Sequence, residues 1–245
     1  MYNIWILFQR ELKNYFITPI AYVFITIFLL MNGIFTFYVG NFFQRGIADL
    51  VPFFSAHPWI YMIFIPAITM RLWAEEKKLG TVELLFTLPI TTMQAVLSKL
   101  LAAWSFIIIS LILTFPLFLA VNYLGNPDNG VILAGYLGSI LMAGAFITIG
   151  ACISAATTNQ VIAFVGSFLI CLLFNVSGFS LVTDYLGRIL PVIVMDVIRN
   201  FSFITNFDVI VKGLIDFKAL IYFGSLILTW TLVNVIVLET NKAND

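Results

Sequence analysis

The sequence predicts an all-α integral membrane protein. Its plan is six transmembrane helices, an N-terminal interfacial amphipathic helix, a short helix outside the bilayer between spans two and three, and short outer helices between spans five and six. Three observations carry this. Of the 245 residues, 62% are hydrophobic and 10% charged, against about 45–50% and about 25% in a soluble domain. The charges leave five charge-free runs, residues 14–44, 50–70, 100–127, 129–183 and 219–238, and a helix needs about 20 apolar residues to cross the hydrocarbon. Where charge returns it is dense, with Arg71, Glu75, Glu76, Lys77, Lys78 and Glu83 close together.

Residues 1–245 read as one transmembrane domain. Residues 1–16 place Ile4, Leu7, Phe8, Leu12, Tyr15 and Phe16 on one helical face and Asn3, Arg10, Lys13 and Asn14 on the other. That pattern suits a helix lying in the headgroup plane. The apolar run that follows is too long for a signal-peptide core, so the first span is read as uncleaved. Thr18-Pro19 marks the turn into span one, residues 20–39, and span two is 53–72. A short amphipathic piece over 80–88 is closed by Pro89, which cannot continue a helix without losing a hydrogen bond. Thr91 with Gln94 is a capping-box pair for the next helix.

That helix, from about Thr92 to Tyr123, would be about 48 Å long, more than the roughly 30 Å of hydrocarbon. Part of it projects, with Lys99 near the interface; the span itself is 98–123, and Pro116 predicts a kink. Residues 125–130 form an outer turn. The longest charge-free run holds two spans, 131–156 and 161–181, parted by Thr157-Thr158-Asn159-Gln160. Gly135, Gly138, Gly144 and Gly150 predict close packing of the first of these. Residues 182–217 are too polar to span; 189–198 and 207–217 read as short outer helices with Asp196, Arg199, Asp208, Lys212 and Asp216 on their polar sides. Span six is 219–238, followed by Glu239 and a short tail.

An even number of spans puts both termini on one side. Counting Lys and Arg in the connections gives seven on the N-terminal side and five on the other, which makes the N-terminal side cytoplasmic. Several chemistries are excluded. His57 is the sole histidine, which removes HExxH zinc chemistry; beside Pro58 and Trp59 it reads as an interfacial residue and not a ligand. No Asp lies in a predicted span, so a paired-aspartate intramembrane protease does not fit. Cys152 and Cys171, both within apolar stretches, read as small buried residues and not as a disulfide or zinc pair. Ionisable midplane residues, usual in ion-coupled transporters, are lacking, although sodium can use backbone and hydroxyl oxygens. There is no GxxxxGK[ST] phosphate loop, and no basic patch for nucleic acid.

The connector carries a likeness. Met70-Arg71-Leu72-Trp73-Ala74-Glu75-Glu76-Lys77-Lys78-Leu79-Gly80-Thr81-Val82-Glu83-Leu84-Leu85, then Leu88-Pro89-Ile90, resembles the cytoplasmic connector of ABC-2 type transporter permeases. The likeness runs along nearly the whole chain, through Thr18-Pro19, Pro52-Phe53-Phe54, Pro58-Trp59, residues 159–164 and residues 201–216. It is most like the gliding-motility-type branch, with one departure: Asn206 stands where many relatives carry His.

The resemblance implies a multi-pass permease of the cell (inner) membrane, both termini cytoplasmic, acting in an exporter and not itself an enzyme. No cofactor or metal is expected on this chain; ATP and Mg would sit on a separate ABC ATPase subunit. That partner would dock on a coupling helix over 80–88. Glu75, Glu76, Lys77, Lys78 and Glu83 are the candidate polar contacts, and Gly80 and Thr81 belong to the same coupling interface. Leu84, Leu85 and Phe86 are the apolar contacts, and Arg10 and Lys13 contribute from the N-terminal helix. For Lys77 and Lys78 the alternative is plain anchoring of a span end by solvation. Six spans are half of such an exporter, so a second permease chain is expected, identical or not. Gly33 and Gly40 in span one offer a small-residue contact face for it, or serve packing within the chain. The resemblance also leaves room for an auxiliary membrane subunit. The competing functions are a secondary transporter or channel without an ATPase, and a membrane scaffold. The substrate is not named by the sequence.

Overall fold

A computed structural model describes residues 2–179, 182–183, 187, 191–214 and 216–244. Among these residues every regular element is helical. In chain order they are α1 (Tyr2–Ile17), α2 (Pro19–Ile34) with a π-helical turn (Phe35–Val39), α3 (Phe42–Arg45), α4 (Val51–Thr69), α5 (Ala74–Lys78) and α6 (Thr81–Thr87). There follow α7 (Thr92–Ile112), α8 (Phe115–Leu124), α9 (Asn129–Ala156), α10 (Gln160–Val176), α11 (Val192–Asn200), α12 (Phe203–Val211) and α13 (Phe217–Asn244).

Five helical stretches among the described residues are long and apolar enough to cross a membrane: Pro19–Arg45, Val51–Lys78, Thr92–Leu124, Asn129–Ala156 and Phe217–Lys242. The protein is a multi-pass, all-helical membrane protein. The expected fifth span, 161–181, corresponds to α10, which has 17 residues and is about 26 Å long; residues 180 and 181 lie outside the described residues, as do 189 and 190 of the expected outer helix 189–198.

α9 is the centre, touching α4, α7, α10, α12 and α13. Its small residues make this geometry. Gly135 faces Phe54, Gly138 faces Ile210 and Phe207, Gly144 faces Trp104, and Gly150 faces Thr69, each with too little room for a β-carbon. In lipid no hydrophobic force drives helices together, so such close approach supplies the packing energy. Trp104 Nε1 adds a hydrogen bond to Ile140 O at 2.8 Å.

Local sequence sets the other boundaries. Thr91 caps α7 with both arms of the capping box, Thr91 Oγ1 accepting from Gln94 N and Gln94 Oε1 from Thr91 N. The third long helix breaks after Ile112, and Pro116 opens α8 from its first turn, where a missing N–H costs nothing.

The helix expected over 207–217 starts four residues earlier and ends six earlier, at Phe203–Val211. Ser202 Oγ accepts from Thr205 N at 3.3 Å and starts α12, and Gly213, with φ +81°, ends it. Asn206 is buried and donates to Asn200 O and Ser202 O. The tail after Glu239 is not loose: α13 runs unbroken to Asn244.

His57 also departs from expectation. It is fully buried, its Nδ1 2.7 Å from Ser139 Oγ and its ring stacked on Tyr61. The serine of α9 supplies a polar partner inside the bundle, so the imidazole has no need of the interface. Cys152 and Cys171 are buried free thiols.

Candidate functional site

One end of the bundle gathers α1, α5, α6, the turn between α9 and α10, and the C-terminal end of α13. The connector begins at a clamp. Ser154 of α9, itself buried, donates through Oγ to Met70 O at 2.9 Å and accepts from Trp73 N and Ala74 N, both at 3.1 Å. A helix start leaves its first N–H groups unpaired, and here a hydroxyl from a different helix satisfies them. One residue on, Lys77 Nζ donates to Ala155 O, and Asn241 Nδ2 of α13 donates to the same oxygen at 3.2 Å. A cation at the carbonyl end of α9 also complements that helix's dipole. So α5 is fixed to α9, and α13 shares the joint.

The other side of α5 is fixed by charge. Lys99 Nζ of α7 lies 2.6 Å from Glu76 Oε1 and 3.3 Å from Glu11 Oε2 of α1. Arg10 NH2 holds the second oxygen of Glu11 at 2.7 Å, and Lys99 sits over the Trp73 ring, 5.1 Å from its centre. Lys99 is only 3% exposed, and a buried ammonium is tolerated only when paired. Two cations and two carboxylates thus join three helices.

Burial pushes the Glu11 carboxyl up, but the charges of Lys99 and Arg10 outweigh it and hold the group below its ordinary value. The Tyr15 phenol is pushed up, first by burial and then by Glu11. Tyr15 stacks on Phe106 and Phe16 packs tilted against the same ring, which seats α1 against α7.

Beyond α5 the character changes. Gly80 turns the chain at φ +69°, in the left-handed region that favours glycine. α6 then runs with Glu83 and Leu84 outward, Leu84 being 67% exposed, while Leu85 is 6% exposed and anchors the helix. Phe86 is half-buried, with Lys242 Nζ 5.2 Å from its ring centre. A groove of about 920 Å³ runs along α6 beside Glu83, Phe86, Thr157, Thr158 and Lys242. A second, of about 400 Å³, separates α6 from α1 beside Arg10, Asn14, Leu84 and Leu88. α6 stands off the bundle with open space on both flanks.

The expected contact residues therefore divide. Lys78, Gly80, Thr81, Glu83, Leu84, Arg10 and Lys13 are exposed, Phe86 and Glu75 partly so. Glu76 is turned inward to Lys99, Lys77 to Ala155, and Leu85 to the core, because each has a partner inside. Glu11, Lys99 and Ser154 escaped the sequence reading as members of this site. The available signal was Glu11 at four-residue spacing between Leu7 and Tyr15, an acid on an apolar face that demands a cation.

No protein-family model matches the sequence, and no curated protein matches it.

Proposed function

We propose that this chain is the transmembrane permease subunit of an ABC-type exporter. In this reading a separate ATPase docks on α6 from the cytoplasm and drives the spans between two access states. Both termini are cytoplasmic, and α10 is the fifth of six crossings. A second permease chain completes the pathway. Support for α10 as a crossing comes from its course back along α9: Gly166 lies against Ile153 near the close of α9, and Phe174 stacks on Phe203 of α12, which itself packs on Phe146 in the middle of α9.

The observation that carries the reading is the mechanical contrast within the connector. A force applied by a partner moves a membrane protein only if the element it grips is both reachable and rigidly joined to the spans. α6 presents Glu83 and Leu84 to solvent, while α5, only two residues before it, is tied directly to α7 and α9 and, through Lys99 and Ala155 O, to α1 and α13.

The test is recovery of the tagged chain from native membranes with an ATP-hydrolysing subunit that bears GxxxxGK[ST]. Changing Leu84 or Glu83 to Arg is expected to reduce that recovery by about tenfold or more, the effect of losing one central contact, with the melting curve of the permease unchanged. Undiminished ATPase recovery and turnover in both variants would end the proposal in favour of a scaffold or an ATP-independent carrier.

A further inference from the structure

A cavity of about 300 Å³ opens between α1, α2 and the end of α4. Its two sides differ in chemistry. Ile20 and Phe24, in the first turns of one long apolar stretch, and Ala67 and Ile68, at the end of α4, form an apolar wall. Arg71, Glu75, Glu76, Glu11 and Lys99 form a charged floor. A site at the shared end of two spans, apolar toward the bilayer and charged away from it, lies at the level of lipid headgroups.

The floor is not internally satisfied. Lys99 is taken up by Glu11 and by Glu76 Oε1. That leaves Glu76 Oε2 and Arg71 Nε buried without a hydrogen-bond partner, and the Glu75 carboxylate without an ion pair among the described residues. The surplus is two acceptors of negative charge beside one guanidinium. Buried polar atoms are normally paired, so a ligand that satisfies both signs at once has a built place to bind.

We infer that this cavity binds the headgroup of an aminophospholipid of the phosphatidylethanolamine type, drawn from the bilayer. The primary ammonium donates to Glu75 and Glu76 Oε2, the adjacent phosphate accepts from Arg71, and the first methylenes of the chains lie along Ile20, Phe24 and Ala67. An anionic lipid without an ammonium can set its phosphate on Arg71 but leaves Glu75 and Glu76 Oε2 unpaired beside it. A choline headgroup has no N–H to give to Glu76 Oε2. The inference needs only a multi-pass membrane protein and stands whether or not the chain is a permease subunit.

The experiment uses the full chain, purified in mild detergent and offered phosphatidylethanolamine, phosphatidylcholine, phosphatidylglycerol or free phosphoethanolamine, with retained ligand read by native mass spectrometry. One phosphatidylethanolamine is expected to be held at least about tenfold more tightly than the other two lipids, the ratio that one charged hydrogen bond supplies. Phosphoethanolamine alone, lacking chains for the apolar wall, is not retained. Glu75→Gln and Arg71→Gln each remove the selectivity. Ala67→Leu, which fills the cavity and keeps every charge, removes retention, and the distant exposed Glu239→Gln keeps both.

Equal retention of the three lipids overturns the inference on the wild-type protein alone, even where Arg71→Gln fails to fold. Selectivity that survives Glu75→Gln and Ala67→Leu overturns it too, and retention of the free headgroup overturns the bilayer as its source.

Discussion

The two short helices of the connector lie two residues apart and have opposite surroundings. α5 spends Glu76 on Lys99, Lys77 on Ala155 O, and its opening N–H groups on Ser154. α6 spends little: Leu85 goes inward, Lys242 sits over Phe86, and Glu83 and Leu84 stay in solvent. The comparison teaches that density of charge in a sequence does not mark the outward-facing surface. Here the charged half is the joint and the more apolar half is the exposed arm. A joint made of buried ion pairs and shared carbonyls has few alternative arrangements, whereas an arm anchored by one leucine can pivot.

The largest test breaks the joint. Lys99→Met leaves Glu11 and Glu76 facing each other in a buried site with no ammonium between them. Removing one partner of a buried charge cluster costs about 3–5 kcal/mol, and the thermal unfolding midpoint should fall accordingly. Restoring neutrality with Glu11→Gln and Glu76→Gln in the same chain should recover most of the loss. A triple variant as unstable as Lys99→Met alone would show that the contacts of the ammonium with Glu76 and the Trp73 ring, and not the two carboxylates left unpaired, hold α1, α5 and α7 together.

Ser154→Ala comes next. It strips the acceptor from Trp73 N and Ala74 N and the donor from Met70 O in one change. Two buried N–H groups without partners cost about 2 kcal/mol in sum, at the low end of about 1–3 kcal/mol each. Amide exchange at Trp73 and Ala74 should rise together. If those amides stay protected, α5 is held by its charges and the clamp is incidental.

Much of this architecture was legible in the sequence. The charge-free runs locate the long helices, the Thr91–Gln94 pair starts α7, and Pro116 divides it from α8. The glycines of α9 announce its central place. The joint was less legible because its members lie far apart in sequence: Glu11 follows Arg10, Glu76 sits inside a dense charged run and Lys99 stands alone before an apolar stretch, and only the packing of α1 on α7 brings them together. Ser154 looked like any serine in an apolar helix, where the hydroxyl commonly bonds back to its own helix. The shift of α12 has a local cause. The acid and base spacing of Asp208, Lys212 and Asp216 imitates a helical stripe, while Ser202 and Gly213, which carry no charge, set the true ends.

Acid offers a gentler way to loosen the same joint. The Glu11 carboxyl is held below its ordinary value of 4.5 in the folded protein, so the folded state binds that proton less readily than the unfolded chain. The stability this contributes is fully present above pH 4.5 and is lost as pH falls through the lower folded value. Between pH 7 and pH 5 the wild type and Glu11→Gln should therefore show parallel melting midpoints, the variant lower. Below about pH 4.5 the two should converge. Curves that stay parallel throughout would mean that folding leaves the proton affinity of Glu11 unchanged.

The smallest expected effect addresses the boundary between joint and arm. A β-carbon at Gly80 would meet nothing within 4 Å, so Gly80→Ala acts through the backbone alone, and holding a non-glycine residue in the left-handed region costs about 1 kcal/mol. That strain need not be paid by the whole protein, because α6 can relieve it by lifting Leu85 from its seat. The global unfolding midpoint should hardly move, while proteolysis and amide exchange over residues 79–87 increase. Gly80→Asn, whose side chain tolerates the left-handed conformation, should behave like the wild type. If Ala, Asn and Gly at this position give the same local protection, α6 is braced by something other than the turn, and the division between a fixed α5 and a pivoting α6 fails at the place where it is drawn.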